Sequence, residues 1–111
     1  MSDIIVHKLN KKFFDAVTIT GSSSSTSECI NSYSLYAIQH IWTSFTGSIK
    51  LVTEGSNNDI DYTTVDTTTI SGASGSRLIN VEKAGYSHVR VSVTFISGSA
   101  ILTSIINAKV L

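Results

Sequence analysis

The 111-residue sequence contains no proline and a single cysteine, Cys29. One thiol cannot close an internal disulfide, so no disulfide framework holds this fold. A reducing compartment is the simpler expectation. Charge is scarce too: Asp, Glu, Lys and Arg make up 14% of the chain, well below the usual quarter. The eight basic and eight acidic residues cancel, and only Lys11 and Lys12 are adjacent cations. That scatter excludes the basic stripe of a nucleic-acid-binding domain. No apolar run approaches the ~18 residues of a membrane span. Charges within the first dozen residues, MSDIIVHKLNKK, leave no signal-peptide core. The expectation is a soluble protein assembled in a cytoplasm, with neither nucleic-acid nor membrane partners. Proteins commonly place Pro and Lys on sheet edges to block edge-to-edge pairing, so the missing proline leaves the edges free to pair.

Ser and Thr replace the missing charge and fill more than a quarter of the chain. Thr suits a pleated, half-buried surface, whereas the helix formers Glu, Lys, Gln and Ala are few. The length is that of one domain, residues 1–111, with room for one core. A nearly uncharged surface favours association with other protein surfaces.

Hydrophobic periodicity is mostly two. In YSHVRVSVTF, residues 86–95, Val89, Val91, Val93 and Phe95 share one face while His88, Arg90, Ser92 and Thr94 share the other. This is a half-buried strand. In SIKLVTEG, Ile49 and Leu51 point inward and Lys50 outward. The run SLYAIQHIWTSF, residues 34–45, is apolar on both faces: Leu35, Ala37 and Ile41 on one, Tyr36, Ile38 and Trp42 on the other. Its β-branched and aromatic content favours a strand. A strand apolar on both faces is either central in a sandwich or covered by another subunit. Further strands are predicted at 4–9, 13–20, 62–70, 77–82 and 100–110. Between them, GSSSSTSE (21–28) and SGASGS (71–76) read as flexible loops and GSNND (55–59) as a tight turn. Thr46-Gly47 reads as a turn, and Ala84-Gly85 and Ser97-Gly98 as hairpin closures. About eight strands with turn signals every 8–12 residues predict an all-β, single-domain antiparallel β-sandwich, jelly-roll-like or immunoglobulin-like.

Chemistry-bearing patterns are thin. Serines are so numerous that each of His7, His40 and His88 will have one nearby, and no G-x-S-x-G elbow exists. Cys29 has no local nucleophile signature. Asn57, Asp59 and Asp61, with Glu54 upstream, place oxygen ligands at alternate positions like a calcium loop but lack the central Gly and closing Glu of an EF-hand; a solvated turn explains them better. Gly72-Ala73-Ser74-Gly75 has no following Lys and cannot be a phosphate loop. The expectation is a non-enzyme without metal or cofactor. Trp42, Tyr36, Tyr62 and Tyr86 would form a sugar-stacking platform if exposed, but such residues equally serve a sandwich core. A carbohydrate-binding module or small lectin-like adhesion domain is therefore the alternative reading.

Residues 1–12 read as a candidate N-terminal arm. Ile4, Ile5 and Val6 are β-prone, and Phe13 and Phe14 follow soon after. Such an arm either forms the domain's own edge strand or adds a strand to a neighbour's sheet. Together with Tyr36 and Trp42, these residues are the interface candidates.

From Gln39 to Asp66, QHIWTSFTGSIKLVTEGSNNDIDYTTVD runs from an apolar strand ending in Trp through T-G, an alternating strand, G-S-N-N and an aromatic residue. Later, GYSHVRVSVTFISGSAILTSIINAKV gives V-R-V, a glycine and a final strand ending in Lys. The chain here resembles small β-sandwich virion proteins of tailed bacteriophages. Asn58 before Asp59 departs from the Asp-Gly usual in that group. The resemblance covers roughly residues 35–110. It implies a capsid cement or decoration protein of the virion, binding the major capsid protein or other virion proteins, and carries over no catalytic residue. The expectation is a symmetric homo-oligomer acting through apolar strand faces and arms.

Overall fold

In the computed structural model, residues 8–31, 33, 35–72, 74–82 and 85–110 are described. They form strands β1 (Lys8–Ile19), β2 (Ser23–Ser24), β3 (Glu28–Cys29), β4 (Leu35–Ser56), β5 (Thr63–Ser71), β6 (Gly75–Glu82) and β7 (His88–Lys109). No helix occurs among the described residues, and so none long and apolar enough to cross a membrane.

Two 22-residue strands, β4 and β7, form the spine and pair antiparallel from Leu35↔Lys109 to Ser56↔His88. At mid-length the side-chain parity reverses. Tyr36, Ile38 and His40 point inward before the reversal, and Ile49, Leu51 and Thr53 after it. On β7, Val89, Val91 and Val93 give way to Ala100, Leu102, Ser104 and Ile106. Register shifts flank the reversal, between Thr43 and Thr46 and between Ser48 and Ile49. Extra residues of this kind bend and twist a strand. Gly47 and Gly98 sit opposite each other at the bend, with φ of +107° and +82°. A Cβ on Gly98 would stand 1.1 Å from the Thr46 carbonyl oxygen. The two backbones cross the corner in contact, which only glycine permits.

This bend makes two layers from one antiparallel sheet. The first layer runs β1, second half of β7, first half of β4, β6; the other runs β2/β3, first half of β7, second half of β4, β5. Counting β2/β3 as one broken strand and each spine strand as two halves gives eight segments in the orders 1-8-3-6 and 2-7-4-5. That is a jelly roll rather than an immunoglobulin sandwich. Ile38, Ile49, Leu51, Val91, Leu102 and Ile106 are among the side chains that meet between the layers, each fully buried.

Four local expectations are corrected. Thr46-Gly47 is no turn and Ser97-Gly98 closes no hairpin; both lie inside continuous strands. The serine-rich stretch 21–28 lies along the edge of β7 and contributes the short pieces β2 and the start of β3, with hydroxyls standing in for missing backbone partners between them. Ser22 Oγ accepts from Phe95 N at 2.9 Å and Ser25 Oγ from Val91 N at 3.0 Å. Ser25 N donates to Val91 O at 2.8 Å. Ser25→Ala removes the acceptor for the Val91 amide and is expected to cost about 1 kcal/mol of unfolding free energy in urea titrations. The segment 71–76 is also shorter as a loop than expected, since Ser71, Gly75 and Ser76 belong to strands.

Candidate interface and core sites

Of the sequence candidates, Ile4, Ile5 and Val6 lie outside the described residues. Phe13, Phe14 and Tyr36 are 8%, 7% and 1% exposed and join the main cluster. Their apolar area is taken up by the chain's own core. Trp42 is half-buried against that core, its ring lying over Gly75. Tyr36 and Tyr86 meet edge-on with ring centroids 6.2 Å apart and share a hydrogen bond between their hydroxyls. Burial, helped by that bond, pushes the Tyr36 phenol far up. The Tyr62 ring carries the Arg90 guanidinium 3.9 Å from its centroid. None of these four aromatic rings stands free as a stacking platform.

His40 and Ser104 form the most buried polar pair. Both are 0% exposed, with Nδ1 and Oγ 2.7 Å apart. The pair is sealed between the layers, so it acts as a core contact. Burial is the main reason the imidazole is held down at about 4; the Asp66 charge pulls it up and the Arg77 charge pushes it down. Asp66 itself pairs with Arg77 at 3.0 Å, which ties the β5 edge to the β6 edge across the sandwich.

The acidic loop after β4 spends its side chains on its own backbone. Asn58 Oδ1 accepts from the amides of Ile60 and Asp61 at 2.9 and 2.8 Å, and Asn58 Nδ2 donates to Asp61 at 2.9 Å. Asp59, with φ of +59°, accepts from the Tyr62 hydroxyl, which is the main reason its carboxyl is held below the ordinary range. The turn expected at 55–59 is displaced: Gly55 and Ser56 still belong to β4, and the loop spans 57–62. Among the described residues, no group of three or more His, Cys, Asp or Glu is placed to hold a metal ion.

The outward faces of both layers mix polar and apolar side chains. Across the second layer run Ser24–Ser92–Val52–Thr67 and Thr94–Lys50–Thr69. There Arg90 and Ser92 both bond Glu54. Across the first layer run Lys12–Ile105–Gln39–Leu78, Asn107–Ala37–Asn80 and Thr103–Ile41–Ser76, with Ile101 and Leu35 at the two ends. Leu78 is 58% exposed and Ile101 40%. Sequence reading identified Leu35, Ala37 and Ile41 as a second apolar face. It missed Leu78, Ile101 and Ile105, although AILTSII carries the same double-sided signal.

No family model and no curated protein matches the sequence. Among solved structures, the chain is similar to the SPBc2 prophage-derived protein YomS, with a TM-score of 0.66 and 13% identity over 96% of this chain and 98% of that one. It is also similar to Bacillus endospore appendages, described as disulfide-linked pili, with a TM-score of 0.51 and 15% identity over 100% and 95%. Likeness at this identity shows the fold. The likeness covers nearly the whole length of this chain and of both neighbouring chains.

Proposed function

We propose that the chain is a non-catalytic structural subunit of a phage particle, a cement or decoration protein that binds the capsid lattice through protein contacts. One observation carries the reading: the outward face of the first layer exposes Leu78 and Ile101 and carries Leu35, Ala37, Ile41 and Ile105 beside them, outside the core cluster. Burying apolar surface contributes about 25 cal/mol per Å², and repetition of one contact over a lattice multiplies it by avidity. The prophage origin of YomS and the assembled nature of the spore appendages support the same reading, as does the resemblance of residues 35–110 to virion sandwich proteins. The engaged aromatic rings give the sugar-binding alternative no platform.

The test is the composition of gradient-purified particles from cells producing this chain, measured by quantitative mass spectrometry. The expected result is the chain at copy numbers in simple ratio to the major capsid protein. Its absence from particles, with the chain abundant in the lysate, would contradict the proposal.

A further inference from the structure

We infer that the core holds a binding site for one ordered water molecule, which bridges His40 Nε2 in the first layer and Thr53 Oγ1 in the second. This stands on the core alone and is independent of the virion reading. Both residues are 0% exposed, and these two atoms find no hydrogen-bond partner among the described residues. Roughly nine in ten or more of the buried polar groups in proteins have a partner, from the chain or from ordered water. Two orphans facing one another therefore call for a shared one.

The register sets the two side chains opposite each other. In the first layer His40 lies between Arg77 of β6 and Ser104 of β7. In the second layer Thr53 lies between Asp66 of β5 and Val91 of β7. The outer neighbours, Arg77 and Asp66, join across the sandwich at 3.0 Å. One strand further in, His40 therefore faces Thr53, and the Asp66 charge is felt at the imidazole. The chemistry of the two atoms selects the occupant. An uncharged imidazole has one donor and one acceptor nitrogen, and a hydroxyl is both. Nδ1 is engaged with Ser104 Oγ at 2.7 Å, which leaves Nε2 free to turn to the other layer. Nε2 and Thr53 Oγ1 do not bond each other. A molecule between them must donate and accept, so an apolar occupant would leave both unpaired. A cation would need an anionic ligand, and Asp66, the carboxylate of this row, is taken by Arg77 and Thr68. Water satisfies both atoms in either tautomer. Buried waters occur at about one per ~27 residues, so one in a chain of 111 residues is ordinary. It completes a polar line from Ser104 through His40 and the water to Thr53, tying one layer to the other behind the Asp66–Arg77 pair.

The experiment is a crystal structure of the full chain, grown near neutral pH and at a resolution that shows ordered water, for the wild type and for Thr53→Val. The wild-type map should show a single water peak within about 3.2 Å of both Nε2 and Oγ1. Thr53→Val keeps the side-chain shape but removes the hydroxyl. It should retain the His40–Ser104 contact and lose the water peak. A wild-type map in which Nε2 and Oγ1 bond directly would overturn the inference. So would a map with no density between them, or a peak that persists at full height in Thr53→Val. The wild-type map decides by itself if the variant fails to fold.

Discussion

Gly98→Ala is expected to lower unfolding free energy by about 4 kcal/mol or more, enough to leave most of the chain unfolded or insoluble. The added Cβ would stand 1.1 Å from the Thr46 oxygen and 2.2 Å from its carbonyl carbon. Neither is the end of a flexible side chain, so the backbones of β4 and β7 must separate. The φ of +82° adds strain of its own for an L side chain. Separation would break the corner that turns one sheet into two layers and would pull Leu51 and Leu102 out of a shared core. Gly47→Ala should act in the same direction, since its Cβ would meet the Ser97 oxygen at 2.3 Å. Gly21→Ala is the control, with nothing within 4 Å of the new atom. Urea midpoints for the three variants check this. A Gly98→Ala protein within 1 kcal/mol of wild type, on the scale where such clashes cost several, would show that β4 and β7 are not joined at this corner.

The second large effect is loss of stability in mild acid. His40 has an ordinary value near 6.5 when unfolded and is held at about 4 when folded, chiefly by burial. Above pH 6.5 both states are neutral and the group contributes nothing to the pH dependence. As pH falls from 6.5 to 4, the unfolded chain takes up a proton that the folded chain refuses. Stability therefore declines by about 1.4 kcal/mol per pH unit, or about 3 kcal/mol by pH 4. The double variant His40→Leu/Ser104→Ala removes both polar partners together, which avoids stranding a buried hydroxyl. Its urea midpoint should fall far less steeply over the same window, whatever its stability at pH 7. An unchanged slope in the double variant would place the acid sensitivity elsewhere.

The sequence revealed the layers better than it revealed their connection. Alternation at 86–95 and 48–54 marked inward and outward positions correctly, because each strand there has one buried face and the period of two is forced by the pleat. The bend at Gly47 and Gly98 was read as turns because a glycine inside an alternating stretch looks the same whether the chain reverses or crosses a corner. Only the partner, some fifty residues away at Gly47↔Gly98, distinguishes the two. The stretch 21–28 read as a loop because a Gly/Ser-rich tract has the composition of a flexible linker. Its hydroxyls pair with the backbone of β7, a contact no local pattern encodes. For the interface, the double-sided apolar run at 34–45 was legible from its period. The matching positions on β7 and β6 required the register that sets Ile105 and Leu78 on either side of Gln39.

The proposed virion role is tested most directly by adding the purified chain to capsids that lack it and measuring co-sedimentation. The account predicts binding that saturates at a copy number in simple ratio to the major capsid protein, as expected when one contact repeats over a lattice. A chain that stays in the supernatant at every concentration would contradict it.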